Sequence, residues 1–312
     1  MADEERLDQL REEAWRKGVV SGRGVDISGG PIPRQSGYYG LPILKPPVWT
    51  WEVPVYFFVG GIAGMAAVIA LTATLFHHVD LARMAMLLAA LGAILSSILL
   101  MLDLGRPRLF LNMLRVFKYK SVMSVGAWIL TFFGGCAVSG LIALQLKWLL
   151  LAWPLLVGSA ILGVLLGTYT GALLGVTAIP AWYLHRVLLP IHFGTAGLGS
   201  AAALLELLGY RIAPLHGLGL LAAAGESLLW IWLELDRHGA ADRALHEGQS
   251  GWLIRGGEIL SGPLALLFRL LGLIPFAAVF FLIGALINRF GWVCAGKVCA
   301  ADPEAVLAAQ RP

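Results

Sequence analysis

The sequence predicts an all-α membrane protein, a polytopic bundle of seven to eight transmembrane helices, and two observations lead to this prediction. The 312 residues are 58% hydrophobic and 13% charged, with a mean hydropathy of +0.79. Soluble domains are about 45–50% apolar and about 25% charged, so a soluble chain of this size would not bury so much apolar surface. The charges are also clustered: 1–52 holds seven Lys or Arg and eight Asp or Glu, whereas 122–182 contains only Lys147.

Apolar runs of membrane-spanning length follow one another along the chain. A transmembrane helix needs about 20 predominantly apolar residues. The last two pieces, 257–273 and 275–290, are short, so they form either two short spans or an in-plane helix followed by one span, and Arg269 favours the in-plane helix. Eight spans would make two four-helix halves. The other predicted spans are 53–76, 81–102, 124–146, one within 149–182, 192–208 and 214–235.

The predicted bundle occupies 52–291, between a polar N-terminal arm at 1–51 and a C-terminal tail at 292–312. The first 47 residues lack an apolar core segment, so no signal peptide is expected. With eight spans, 19 of the 23 lysines and arginines fall on the N-terminal side. If the C-terminal tail is on the opposite side instead, 16 do so. Because Lys and Arg concentrate in cytoplasmic loops, we expect a bacterial inner membrane protein whose N-terminal face is cytoplasmic.

Metal, haem and nucleic acid are not expected in this chain. The three cysteines exclude a disulfide framework: Cys294 and Cys299 are spaced C-x4-C, and Cys136 lies in an apolar run. Zinc and iron–sulfur sites need about four soft ligands in tight groups. A membrane dihaem cytochrome needs paired histidines on facing helices, and the histidines here lie at or beyond the ends of the predicted spans.

Polar side chains gather where several predicted spans reach the N-terminal face. Glu52 and Tyr56 begin the first span, and Asp103, followed by Arg106, ends the second. Tyr169 lies in the fourth, about 20 Å from its predicted end at 1.5 Å per residue. On alternating topology these five residues can converge on one pocket near this face.

Two interpretations of this group stay open. Asp103 and Arg106 can form a boundary ion pair with a snorkelling arginine, and Tyr169 can be a core tyrosine bonded to a neighbouring helix. The functional alternative is a headgroup or quinone site, with Asp103 as proton donor or acceptor, because ionisable groups at membrane depth usually face an interior cavity.

Glu226 in the sixth span and Glu206 near the end of the fifth are the remaining deep acids. Both are candidates for a proton path, and structural roles are the alternative. The fourth span also carries a stripe of small residues at four-residue spacing, which lets another helix approach closely. The stripe is Ser159, Gly163, Gly167, Gly171 and Gly175.

Several motifs stand together between about 38 and 300. They are YYGLP at 38–42, KPP at 45–47, WxWEVP at 49–54, DLGRP at 103–107, FLNMLRVFK at 110–118, MSVGAW at 123–128, YTG at 169–171 and PAW at 180–182. In combination they resemble the NrfD / polysulfide reductase integral membrane subunit family, in the short form paired with formate-dehydrogenase-like or similar molybdenum enzymes. Val122 departs from the family pattern, which usually has proline there.

The resemblance implies eight helices, no haem, and a menaquinone or ubiquinone pocket that uses Tyr169 and Asp103. It also implies a ferredoxin-like iron–sulfur partner subunit, which exchanges electrons with a molybdopterin catalytic subunit or another redox module. Iron–sulfur clusters and molybdopterin would then belong only to the partners. The short final helices leave the eighth span open.

The leading hypothesis is a quinone-binding anchor of a respiratory oxidoreductase complex, with no catalytic residues and no turnover of its own. Tyr169, Asp103, Arg106, Tyr56 and Glu52 would bind the quinone. The alternatives are a proton-translocating subunit using Glu226 and Glu206, and a secondary transporter, which glycine-interrupted helices also suit. The residues expected to dock the partner are Arg108, Arg115, Lys118, Lys120, Tyr38, Tyr39 and Lys45.

Overall fold

The computed structural model describes residues 43–103, 114, 115 and 117–309, and this part of the chain is almost entirely helical. Seven of its helices are long and apolar enough to cross a membrane, so the chain is a multi-pass membrane protein, as its composition predicts. They are α1 (Glu52–Leu75), α2 (Val79–Asp103), α3 (Val122–Gln145), α4 (Leu149–Gly175), α6 (Leu188–Leu207), α7 (Ala213–Leu235) and α11 (Ile274–Ala301).

Shorter helices connect these spans. Between α7 and α11 the chain forms a helix of 23 residues that a wide turn interrupts, and we call it the interrupted helix. Pro263 lies in that turn and lacks a backbone N–H, which explains the local loss of regular α-helical bonding. The short elements are α5 (Pro180–Tyr183), a 3₁₀ turn (Gly239–Asp242), α8 (Arg243–His246), α9 (Gly248–Ile259), the π turn (Leu260–Leu264), α10 (Ala265–Leu270) and α12 (Pro303–Ala308).

The interrupted helix lies antiparallel to α11 along its length. Gly257 packs on Asn288, and the ring of Phe268 stacks on that of Phe280 at 5.2 Å. Beyond α7, Arg243 contacts Asp302, which follows α11. Both ends of this two-helix segment therefore lie on one side of the bundle.

The antiparallel packing favours an eighth crossing over the in-plane helix that Arg269 suggested, in addition to the seven helices of membrane-spanning length and hydropathy. The interrupted helix is about 35 Å long at 1.5 Å per residue, enough for a hydrocarbon core of about 30 Å. Neither final helix is short, since α11 has 28 residues and continues to Ala301, well past the expected end at 290.

The crossings form two groups of four. Helices α1 to α4 pack together, and α6, α7, the interrupted helix and α11 form the second group, joined to the first where α6 packs on α1 and α4. The small-residue stripe of α4 lies within these contacts: Gly163 packs backbone to backbone against Gly64 of α1, and Gly171 packs on Leu189 of α6.

The start of α1 and the end of α11 lie on the same side of the bundle, which we call the N-terminal face. Trp49, just before α1, stacks on Trp182 at 5.4 Å between ring centroids. The carbonyl oxygen of Trp49 also accepts a hydrogen bond from the Lys297 amine near the end of α11. Tyr210 and Asp80 lie together at the opposite face.

Candidate functional site

A cleft opens between α1, α2, α3 and α4 at their N-terminal-face ends, and we call it the Tyr169 cleft. Its cavity volume is about 40 Å³, and it is partly open to the surroundings. The walls are mostly apolar, and the polar groups among them are the two phenols and one carboxyl group. The lining residues are Trp49, Val53, Tyr56, Phe57, Leu100, Asp103, Met123, Gly126, Ala127, Tyr169 and Leu173.

Tyr56 and Tyr169 place two phenols in this cleft. Both residues are buried, with 4% and 9% of their surface exposed. Neither hydroxyl makes a hydrogen bond to the described part of the chain, although a buried phenol normally finds a partner. The two hydroxyl groups are therefore donors available to a molecule in the cleft.

Tyr169 lies nearer the N-terminal face than its sequence position suggests. Because α4 ends at Gly175 rather than near 182, Tyr169 is six residues, about 9 Å, from the helix end. Its ring lies against Gly126 of α3, where a Cβ atom would stand 1.9 Å from the ring carbon Cζ. The absence of a side chain at Gly126 thus sets the position of the phenol.

Aromatic contacts support the α1 side of the cleft. The Phe57 ring lies 5.7 Å from Tyr56 and 6.1 Å, edge to face, from Trp49. Trp182 stacks on Trp49, and its Nε1 donates a hydrogen bond to the carbonyl oxygen of Trp292 at 2.8 Å. Well-packed rings of this kind give the cleft a fixed wall.

Asp103, the last residue of α2, is half-buried at the edge of the cleft. Glu52 is close enough for its charge to act on the Asp103 carboxyl group, and it accepts a hydrogen bond from the Thr50 hydroxyl. The structure therefore brings Tyr169, Tyr56 and Asp103 together, with Glu52 beside them. Arg106 lies outside the described residues.

The predicted docking residues that the structure describes are exposed near the N-terminal face. Lys118 and Lys120 lie just before α3, and the backbone N–H of Lys118 donates to the Ser124 hydroxyl at 3.1 Å. Lys45 and Arg115 are exposed as well. Arg108, Tyr38 and Tyr39 lie outside the described residues.

Glu206 lies at the other end of the bundle, in a buried ion pair. Arg269 donates from both terminal guanidinium nitrogens to the two carboxylate oxygens of Glu206, at 2.8 and 2.7 Å. Only 2% of the Arg269 surface is exposed. Such a fork-to-fork pair has specific geometry and charge-assisted bonds, so it joins α6 to the interrupted helix.

Glu226 lies in the interior of the second helix group, in what we call the His192 cluster: His192, Glu226, Glu258, Asn288 and Arg289. Glu226 and His192 have no exposed surface. Nδ1 of His192 lies 3.0 Å from a Glu226 oxygen, and Nε2 lies 3.7 Å from a Glu258 oxygen. The Asn288 amide donates to Glu258 at 2.8 Å.

Sequence reasoning identified only Glu226 in this cluster. His192 was expected at the start of its span, but α6 begins at Leu188, so the ring lies one turn inside. Glu258 and Arg289 fall at the edges of the last apolar pieces, where boundary charges are ordinary. The signal that could have found them is their number: uncompensated charges inside a bilayer are costly, so several of them imply mutual pairing.

A second polar group, at the N-terminal face outside the spans, joins the loops next to α5 and α8. The buried carboxylate of Asp242 accepts from the backbone N–H of His238 at 2.6 Å. His185 bonds the Ala181 carbonyl oxygen at 3.0 Å, and burial lowers the pKa of His185 below its usual range. The His185 ring is therefore neutral near pH 7. It lies edge to face on the His238 ring, at 5.4 Å between centroids, and this contact joins the two loops.

Two comparisons with known proteins match this chain. The family model described as "Polysulphide reductase, NrfD" matches residues 43–300, which include the Tyr169 cleft and the His192 cluster. A relative named Protein NrfD, from Escherichia coli (strain K12), is 28% identical over 185 residues. That match covers 50% of this chain and 58% of the relative, so the chain spans less than two thirds of that protein's length.

Proposed function

Because this chain belongs to the NrfD polysulphide reductase family, we propose that it is the quinone-binding membrane subunit of a multi-subunit oxidoreductase. The observation that carries the proposal is the Tyr169 cleft, which combines two buried phenols without partners in the described chain with a half-buried carboxyl group. The site is at the N-terminal face of the bundle, where a soluble redox subunit would have access.

The chemistry of the cleft suits a quinone headgroup, which is an apolar ring with two carbonyl oxygens. Phenol hydroxyls donate hydrogen bonds to carbonyl oxygens, and the walls of Val53, Leu100 and Leu173 are apolar. A bound menaquinone or ubiquinone would supply the two-electron chemistry. Tyr169 and Tyr56 would orient its ring, and Asp103 would move the proton between the cleft and the N-terminal face.

The electrons would come from or go to a partner chain. The proposed partner is a ferredoxin-like iron–sulfur subunit, linked in turn to a molybdopterin or other redox catalytic subunit. The exposed cations Lys45, Arg115, Lys118 and Lys120 lie near the N-terminal face. They support docking there, since a basic surface attracts an acidic partner. The isolated chain would have no turnover.

The proposal is tested by Tyr169→Phe and Asp103→Asn in the assembled complex. We expect quinone-coupled electron transfer to fall at least about tenfold, because a hydrogen bond to a charged group contributes about 1.5–3 kcal/mol. The measurement is the rate of quinone reduction or quinol oxidation at matched amounts of complex.

The matched controls are Tyr210→Phe and Asp80→Asn, which make the same chemical changes at the opposite face. These variants should keep the parental rate. Normal rates in both cleft variants would exclude the Tyr169 cleft as the quinone site, provided that the subunits copurify.

We further propose that the chain lies in a bacterial inner membrane with its N-terminal face in the cytoplasm. Trp49 contacts Lys297, and Arg243 contacts Asp302. These contacts support the eight-span topology, in which most lysines and arginines lie on the N-terminal side. We expect a cysteine introduced at Lys120 to be blocked by a thiol reagent only after the inner membrane is opened. A cysteine at Lys147 should react in intact spheroplasts, and the reverse pattern would invert the topology.

Proton translocation is the second candidate function, and the buried position of Glu226 favours it. Glu226 lies in the His192 cluster, whereas Glu206 is paired with Arg269 near the opposite face. A proton path would therefore use these two acids at different depths. Proton release from proteoliposomes beyond that of quinone chemistry would support this function.

A further inference from the structure

We infer that the His192 cluster is an internal proton-binding site, whose single exchangeable proton is held on the His192 ring between Glu226 and Glu258. The inference goes beyond quinone binding. Its coupling to electron transfer, argued below, rests on the proposed function of the Tyr169 cleft.

The first argument is the placement of the two carboxylates. Each ring nitrogen of His192 faces a different one, Nδ1 at 3.0 Å from Glu226 and Nε2 at 3.7 Å from Glu258. A neutral imidazole carries one N–H, whereas an imidazolium donates from both nitrogens. Without a metal ion, only the protonated ring can therefore donate to both ionised carboxylates.

The second argument is charge balance in a buried space. Arg289 is 1% exposed and keeps its positive charge at any ordinary pH. Its guanidinium lies 3.6 Å from the centre of the Phe193 ring and donates to the Phe193 carbonyl oxygen at 3.0 Å. With two carboxylates and Arg289, a protonated His192 makes the cluster neutral. Replacing this proton by a divalent cation would leave a net positive charge.

Losing the proton would leave one uncompensated negative charge inside the membrane, which is costly. The cluster therefore favours exchange, in which one proton leaves as another arrives. Unsatisfied atoms allow such a movement: both His192 nitrogens and both Glu226 oxygens are buried without an aligned hydrogen bond in the described chain. A small rotation of the ring or carboxylate would align either pair.

The surroundings of His192 are defined on every side. Helix α7 contributes Glu226, the interrupted helix contributes Glu258, and α11 contributes Asn288 and Arg289. From α1 and α4, no charged group of the described chain lies within 4.0 Å of His192. Burial of the ring opposes its protonation, and the charged groups that face it are two acids, which favour protonation, and one arginine, which opposes it.

Two sets of aromatic contacts connect the cluster to the Tyr169 cleft. Phe193, next to His192, lies 5.9 Å from Phe57, which lines the cleft beside Tyr56. The second set begins at Trp292, whose ring lies 6.4 Å from the His192 ring. Trp292 is hydrogen-bonded to Trp182, which stacks on Trp49 in the wall of the cleft. These contacts form a packed route through which a change of charge or shape in the cleft would act on the cluster.

The coupling is tested in proteoliposomes that contain the complete redox complex. We expect His192→Gln, Glu226→Gln and Glu258→Gln to lower the number of protons translocated per electron to that of quinone chemistry alone. Turnover in uncoupled vesicles should stay within about twofold of the parental rate, since these residues do not line the cleft. His78→Gln and Glu247→Gln, at exposed positions, are the matched controls.

A parental ratio in all three cluster variants would overturn the inference, as would translocation no greater than quinone chemistry in the unaltered complex. Loss of turnover in Tyr169→Phe reports on the proposed function instead, so the two failures are distinguishable. If a cluster variant does not fold, ¹⁵N-histidine spectra of the unaltered chain in nanodiscs decide. A doubly protonated His192 ring at neutral pH is expected, and a neutral ring would refute the inference.

Discussion

Replacing Arg269 by methionine is expected to destabilise the folded bundle by about 3–5 kcal/mol, the usual cost of removing one partner of a buried ion pair. The Glu206 carboxyl group would lose both guanidinium bonds, at 2.8 and 2.7 Å, in a site where only 2% of its side-chain surface is exposed. The measurement is thermal unfolding of the detergent-solubilised protein.

The double variant Arg269→Met/Glu206→Met separates charge from packing. Apolar residues of similar volume often replace a buried ion pair at little cost, so the double variant should recover most of the lost stability. A double variant as unstable as Arg269→Met alone would show that packing of the arginine side chain against Gly219 is the main contribution.

The second large effect is expected at the contact of α1 with α4. In Gly163→Ala, the new Cβ atom would stand 2.2 Å from the carbonyl oxygen of Gly64, which belongs to a helix backbone and has no freedom to rotate away. The helices must separate, and overpacking of this kind costs about 1–3 kcal/mol or more. We expect a lower unfolding temperature of the detergent-solubilised protein.

Gly135→Ala is the matched control, because a Cβ atom at Gly135 meets nothing within 4 Å. It should be neutral or stabilising, since alanine favours a helix over glycine by about 1 kcal/mol. Equal stability of the two variants would mean that the close approach of α1 and α4 does not limit the fold.

The sequence predicted the apolar helices well because lipid exposure imposes a simple rule on composition. The interrupted helix does not follow this rule, because several of its side chains are polar and lower its hydropathy. They are paired or buried inside the protein: Ser250, Arg255, Glu258 and Ser261. Arg269 suggested an interfacial helix for the same reason. Its partner Glu206 is 63 residues away in sequence, and no local pattern reveals such a pair.

The candidate site was likewise predictable from the sequence only in part. Tyr56 and Asp103 are each near a predicted span end, so alternating topology brought them to one face, whereas Tyr169 lies near that face because α4 ends at Gly175. His192 and Glu258 required the mutual rotation of α6 and the interrupted helix, which depends on packing between residues distant in sequence.

The hydrogen bond between Lys297 and the Trp49 carbonyl joins positions 248 residues apart. The ribosome completes Trp49 long before Lys297, so this bond forms only after the final crossing has been made. The wall of Trp49 and Trp182 beside the Tyr169 cleft is consequently secured at the end of biogenesis. A partner that recognises this region would therefore bind a chain in which the last helix is already in place.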